Sequence, residues 1–123
     1  MFKSRIFVIT GAMMIAVVAL TTPVAFAADG PSDPQIVGIV LAADQIDIDY
    51  GQIALKKSKD KKVREFAQRM VTDHSAVQKS VIGLADKLGV KPEDSPTSTG
   101  LKSGAVDITT KLNSLKGKEF NKF

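Results

Sequence analysis

The sequence contains no cysteine, no tryptophan and only one histidine among its 123 residues. Without cysteine, the chain can form no disulfide framework and cannot be attached to lipid through a thioether. A cysteine nucleophile is excluded for the same reason, and His74 is the only imidazole that could act as a general base. Closed tetrahedral zinc sites draw mainly on Cys and His ligands, so a single imidazole argues against a structural zinc site.

Sequence motifs of several enzyme classes are missing as well. The chain has no Gly-x-Ser-x-Gly turn and no glycine-rich phosphate-binding loop. It has no methionine-rich copper motif, because Met70 is the only methionine after residue 14. No internal repeat and no strand-like alternation of apolar and polar residues occurs. These absences favour an all-α protein without catalytic activity, and we assign no catalytic or cofactor-binding residue.

The first 27 residues have the pattern of a cleavable secretory signal peptide. Lys3 and Arg5 precede an uncharged apolar run at 6–20, and the small residues of Ala-Phe-Ala at 25–27 form a signal-peptidase site. The apolar run is shorter than the roughly 20 residues that a membrane-spanning helix needs, so a retained anchor is the weaker alternative. We expect cleavage after Ala27, export to the periplasm, either free or associated with the outer membrane, and no membrane span in the mature chain.

The mature segment is nearly neutral. Removal of residues 1–27 leaves 15 of the 17 basic residues and all 13 acidic ones, a net charge of +2. Nucleic-acid binding needs a clustered basic face rather than a small excess, so we expect no nucleic-acid partner. One basic cluster, from Lys56 to Arg64, falls at a helix-helix turn. It is interpreted as a solvated loop, with contact to a polyanion or a membrane surface as the alternative.

Three helices are predicted after a disordered leader at 28–32. Asp33 is expected to cap the first helix, which ends near Lys57, and Ser58 or Asp60 to cap the second, which ends at Gly89. Because only two or three residues join them, they must form an antiparallel hairpin. Apolar stripes at helical spacing define their faces: Ile36, Ile39, Val40, Ala43, Ile46, Tyr50, Ile53 and Ala54 in the first helix, and Val63, Ala67, Met70, His74, Val77, Val81, Leu84 and Leu88 in the second.

The third helix is predicted to follow an exposed loop at 91–100. It begins near Leu101 and shows no stop signal before Phe123. We therefore expect that either the chain is truncated there or another subunit covers that end. Phe66, Phe120 and Phe123 are expected in the core.

His74 and Asp47 are the candidate site residues. His74 lies in the apolar stripe of the second helix, and Asp47 lies at the edge of the stripe of the first. At about 1.5 Å of rise per residue, a hairpin turning near Ser58 places them within about one helical turn of the same level. They are either metal ligands, or a ligand with its orienting acid, or else a buried hydrogen-bonded pair. Sequence alone leaves both interpretations open, and the only cofactor considered is a metal ion.

Two segments of the chain are characteristic of a known family. These are Asp47-Ile-Asp-Tyr-Gly-Gln-Ile-Ala54 and Val63-Arg-Glu-Phe-Ala-Gln-Arg-Met-Val-Thr-Asp-His-Ser75. They resemble domain-of-unknown-function family 4142, exported bacterial proteins with a ferritin-like helical fold that are often labelled predicted outer membrane proteins. His74 and Asp73 match the family directly, whereas glutamates are usual at the positions of Asp47 and Asp49. The resemblance implies no established reaction.

The sequence therefore predicts an all-α fold: an antiparallel helical hairpin plus a third helix, an incomplete ferritin-like four-helix bundle. We expect an exported periplasmic protein that acts by binding or in envelope stress. One alternative is a metal-binding bundle, for storage or oxidoreductase-like chemistry, whose other ligands lie beyond residue 123. The other is a structural hairpin that self-associates. The expected partners are a second copy or partner helices that complete the bundle.

Overall fold

The computed structural model describes residues 30–123, and the predicted signal peptide lies outside this range. The described residues form four α-helices and no strand: α1 (Asp33–Lys57), α2 (Lys61–Leu88), α3 (Pro96–Ser114) and α4 (Gly117–Lys122). The all-α prediction is thus confirmed for this part of the chain. None of these helices is both long enough and apolar enough to cross a membrane.

The start of α1 is set by a capping box on Ser32. The Ser32 hydroxyl accepts a hydrogen bond from the Gln35 amide, and the Gln35 side chain accepts one from the Ser32 amide. This reciprocal pair satisfies two amides that the helix leaves free. The prediction that Asp33 caps the helix was therefore wrong by one residue, since Asp33 is already helical. The last residue of the predicted leader, Ser32, is part of the cap.

The ends of α2 are those that the sequence predicts. The Asp60 carboxylate accepts a hydrogen bond from the Val63 amide at 3.1 Å, and Gly89 adopts the left-handed conformation at φ 67°. The helix packs antiparallel to α1. Gly51 makes this approach close, because a Cβ there would lie 2.8 Å from Val71 Cγ2. The predicted hairpin is confirmed.

The third helix begins earlier than expected. Ser95 caps α3 through a second capping box with Ser98, and Pro96 occupies the first turn. The prediction of a start near Leu101 was wrong because the serines, threonines and prolines before it resemble a loop in composition, although serine and proline also favour a helix start. α3 packs against α1, which thus has α2 and α3 as its main partners.

The third helix also ends earlier than expected. α3 stops at Ser114, Gly117 adopts φ 55°, and α4 forms a separate short helix. Lys57 donates hydrogen bonds to the carbonyls of Leu112 (2.6 Å) and Asn113 (2.5 Å), which satisfies acceptors in the last turn of α3. The prediction of one helix running to Phe123 was therefore wrong.

The apolar core of the described residues is small. Its buried members are Ala42, Ile48, Ala67, Ala85 and Phe120. Phe120 is covered by the Lys57 ammonium, 5.4 Å from the ring centroid. Phe66 and Phe123, predicted to lie in the core, are instead 63% and 57% exposed. Much of the apolar surface of the long helices therefore remains open to solvent.

Candidate functional site

His74 lies between two aspartates of α1. Its Nδ1 is 2.8 Å from Asp44 Oδ1, and its Nε2 is 3.5 Å from Asp47 Oδ2. Asp44 and Asp47 are three residues apart, so both side chains lie on the same side of α1. The structure thus brings the two predicted residues together and adds a third.

Asp44 was not predicted as a site residue, although it is the most buried of the three. Its side chain is only 7% exposed, and its Oδ2 is buried with no hydrogen-bond partner among the described residues. A signal was present, because Asp44 lies midway between Val40 and Ile48 at steps of four residues. An acid at that position interrupts an apolar stripe, and acids are rarely buried without a partner.

The environment of His74 favours its protonated form. The hydrogen bond to Asp44 raises the pKa of the imidazole, and the negative charges of Asp47, Asp44 and Asp73 act in the same direction, whereas burial opposes them. Asp73 is exposed and acts only through its charge. The pKa of Tyr50 is raised too, first by burial and then by the charge of Asp47. The site is therefore negative and suited to hold a proton or a cation.

The chemistry available at this site is limited by its ligand number. Within residues 30–123, no three His, Cys, Asp or Glu side chains are grouped so that they could hold a metal ion. The Asp44 carboxylate is hydrogen-bonded to Nδ1 of His74. Nε2 of His74 and the Asp47 carboxylate therefore remain at the open edge of the site, where the two side chains are 29% and 37% exposed.

Two apolar grooves between α1 and α2 flank this polar centre. The first, here called the Leu84 groove, is lined by Ile36, Val37, Val40, Val81, Leu84 and Leu88 and has a volume of about 240 Å³. The second, the Phe66 groove, has a volume of about 230 Å³ and includes Asp47, Tyr50, Ala54, Val63, Phe66 and Met70. Along the hairpin this surface is therefore apolar, polar and apolar again. We call it the hairpin face.

Comparison with known proteins identifies the family. A model of the family described as Domain of unknown function (DUF4142) matches residues 19–123. The chain belongs to the DUF4142 family. The resemblance inferred from the segments around Asp47 and His74 is thereby confirmed. Neither the comparison with curated proteins nor that with solved structures gave a match.

The family description assigns no activity to the site of this DUF4142 protein. Asp47 and His74 are adjacent in the structure, but that they bind a metal ion stays a prediction. The alternative interpretation is a hydrogen-bonded pair of Asp47 and His74. The structure does contain a short hydrogen bond at His74, but it joins His74 to Asp44 rather than to Asp47.

Proposed function

We propose that this DUF4142 protein is exported to the periplasm and acts there without catalysis, by association through its hairpin face. The observation that supports association is the exposure of large apolar side chains on that face. Phe66, Leu84 and Leu88 are all more than half exposed. Contiguous apolar surface of this kind is typical of interaction sites, because burying it is favourable. Export is supported by the amino-terminal sequence pattern.

The partner that suits the hairpin face best is a second copy of the chain. A purely apolar partner would remove water from Asp47 and His74 without supplying hydrogen-bond partners, which is costly. A second copy carries the same order of apolar, polar and apolar surface, and a twofold axis through the centre places the two polar regions at the same level.

Such a pair would also account for the ferritin-like fold that the family resemblance implies. Two α1–α2 hairpins packed face to face contribute four long helices around one apolar interior. In that arrangement the site around His74 lies at the middle of the bundle. The described residues of one chain supply half of this four-helix bundle.

Sedimentation equilibrium of the mature, untagged protein tests this proposal. We expect a reversible dimer whose Kd rises at least about tenfold on Phe66→Ser, since burying a phenylalanine stabilises by about 1.5–3 kcal/mol. Val106→Ser is the matched control, because Val106 is 64% exposed but lies in a groove between α1 and α3. A wild-type protein that is monomeric at all concentrations, or equal effects of both substitutions, would contradict the proposal.

A second candidate function is metal binding, in a storage or oxidoreductase-like role. It is favoured by one observation, the row formed by Asp44, His74 and Asp47 across the α1–α2 interface.

A further inference from the structure

The two contacts of the His74 ring differ in kind. The 2.8 Å separation of Nδ1 and Asp44 Oδ1 is that of a strong hydrogen bond. The 3.5 Å separation of Nε2 and Asp47 Oδ2 exceeds the roughly 3.2 Å limit of ordinary N–H···O bonds. Nε2 therefore faces a carboxylate oxygen without a good hydrogen bond to it.

The longer distance is the one expected between two ligands of the same ion. Zinc binds histidine nitrogen and carboxylate oxygen at about 2.0–2.2 Å, and a tetrahedral angle then places the two donor atoms about 3.3–3.6 Å apart. Nε2 and Asp47 Oδ2 have this separation without any movement of either helix. Both side chains are partly exposed, so that an ion with its water ligands can reach them.

Asp44 has the position of a carboxylate that orients a metal-binding histidine. Such histidines usually donate their other ring N–H to a carboxylate, which fixes the tautomer and directs the free nitrogen at the metal. Asp44 Oδ1 accepts at Nδ1 in this way, and the buried Oδ2 has no partner among the described residues. A cation that binds Nε2 displaces the proton from that nitrogen. Asp44 and Asp47 then leave two negative charges at the site, which a divalent cation would balance.

We propose that His74 Nε2 and Asp47 Oδ2 bind a divalent transition-metal ion of the Zn²⁺ class, with Asp44 as the positioning residue. A mixed nitrogen and oxygen donor set selects such ions over Mg²⁺ and Ca²⁺, which prefer oxygen ligands alone. Two protein ligands leave the remaining positions to water. The site is present in one chain, so it is independent of the self-association proposed above. If a dimer forms, a second His74 and Asp47 can replace the waters.

The test is a titration of the mature, untagged protein with ZnCl₂, followed by calorimetry and by ¹⁵N NMR of its single imidazole. We expect saturable binding in which the Nε2 resonance shifts while Nδ1 remains protonated and bonded to Asp44. His74→Gln and Asp47→Asn are each expected to weaken binding at least about tenfold, and Asp44→Asn about 10- to 100-fold through loss of orientation. Asp49→Asn is the control, because Asp49 is an exposed acid of α1 that contacts Gln45 instead.

Three results would overturn the proposal: a wild-type Kd weaker than about 1 mM, equal affinity of wild type and His74→Gln, or a Zn²⁺-induced shift at Nδ1 rather than Nε2. Helical circular dichroism of each variant excludes unfolding, and Asp47→Asn keeps the test decisive if His74→Gln does not fold. A stoichiometry of one ion per chain indicates completion by water, and one ion per two chains indicates completion by a second copy. Both support the proposed ligands, and a monomeric protein that binds Zn²⁺ would contradict only the self-association.

Discussion

The two sides of α1 are packed in different ways. Towards α2, the contact extends along the whole hairpin, with Gly51 at a close approach and the His74–Asp44 pair near the middle. Towards α3, hydrogen bonds to α1 lie near the two ends of the helix: the Glu93 amide, just before α3, donates to the Pro34 carbonyl, and Lys57 donates to carbonyls in the last turn of α3. Helix α2 therefore packs on α1 along its length, whereas the hydrogen bonds that join α3 to α1 lie near the two ends of α3.

The largest expected effect on stability is that of Gly38→Ala. The added methyl group pushes the connection at 89–95, between α2 and α3, away from α1. A Cβ at Gly38 would lie 2.0 Å from the Glu93 carbonyl oxygen, and the Glu93 amide donates to the Pro34 carbonyl at 3.0 Å. Although alanine favours helices, we expect a loss of about 1–3 kcal/mol in the free energy of unfolding from this overpacking. Urea unfolding measures it.

Gly104→Ala is the matched control for this prediction. Gly104 lies inside α3 with nothing within 4 Å of its ideal Cβ. We expect a gain of about 1 kcal/mol in stability, because a helical glycine is replaced without a clash. A gain at both positions would mean that the connection does not hold α3 against α1.

His74→Leu tests the polar pair on the other side of α1. The substitution leaves the buried Asp44 carboxylate without its hydrogen bond, so we expect a loss of about 1–3 kcal/mol. Leucine at both 44 and 74 should restore much of it, because a buried polar pair can often be replaced by apolar groups. A single variant that is more stable than wild type would mean that the histidine is only tolerated there.

This comparison should be made by chemical unfolding at pH 6 with a chelator present. The pKa of His74 is raised in the folded protein, mainly by the hydrogen bond to Asp44. Its stabilising contribution is therefore complete below the unfolded pKa of about 6.5 and is lost as the pH rises through the folded pKa.

The capping serines of α1 and α3 allow the two helices to be compared through a smaller expected loss of stability. Ser32 and Ser95 form equivalent capping boxes, but Ser95 is buried and Ser32 is exposed. Alanine in place of a capping serine costs about 0.5–2 kcal/mol. We expect the loss of stability for Ser95→Ala at the upper end of this range, because the amino end of α3 depends on that serine. The loss for Ser32→Ala is expected at the lower end. Thermal unfolding of both variants measures the difference, and equal losses would contradict it.

The smallest effect is expected at Asp94. The ion pair with Lys102, at 2.6 Å, is the main cause that lowers the pKa of the Asp94 carboxyl. Its contribution to stability is therefore present above the unfolded pKa and lost as the pH falls through the folded pKa. Because the pair is exposed, we expect little change in overall stability from Lys102→Gln. NMR titration should instead show the Asp94 pKa returning towards its ordinary value.

Local signals in the sequence were enough to determine α2 and, to within one residue, the start of α1. Asp60 and Gly89 bound α2 as expected, because caps depend on residues only a few positions away. The antiparallel hairpin follows from the short connection. The predicted stripe of α1 did not identify its most buried residues, which are Ala42, Asp44, Ile48 and Gly51. The level of Asp47 and His74 follows from the helix rise, so their proximity was predictable.

Only the tertiary structure decided which aspartate pairs with His74, where α3 ends and which phenylalanines are buried. Asp44 and Asp47 differ by only about 60° around α1, so helical periodicity cannot tell which of them points at α2. The end of α3 depends on Lys57, which lies 55 residues before Leu112. Phe66 and Phe120 were both expected in the core, yet of the two only Phe120 is buried, in the short helix α4 and beside the Lys57 ammonium. Such outcomes rest on contacts between residues distant in the chain, which no local pattern encodes.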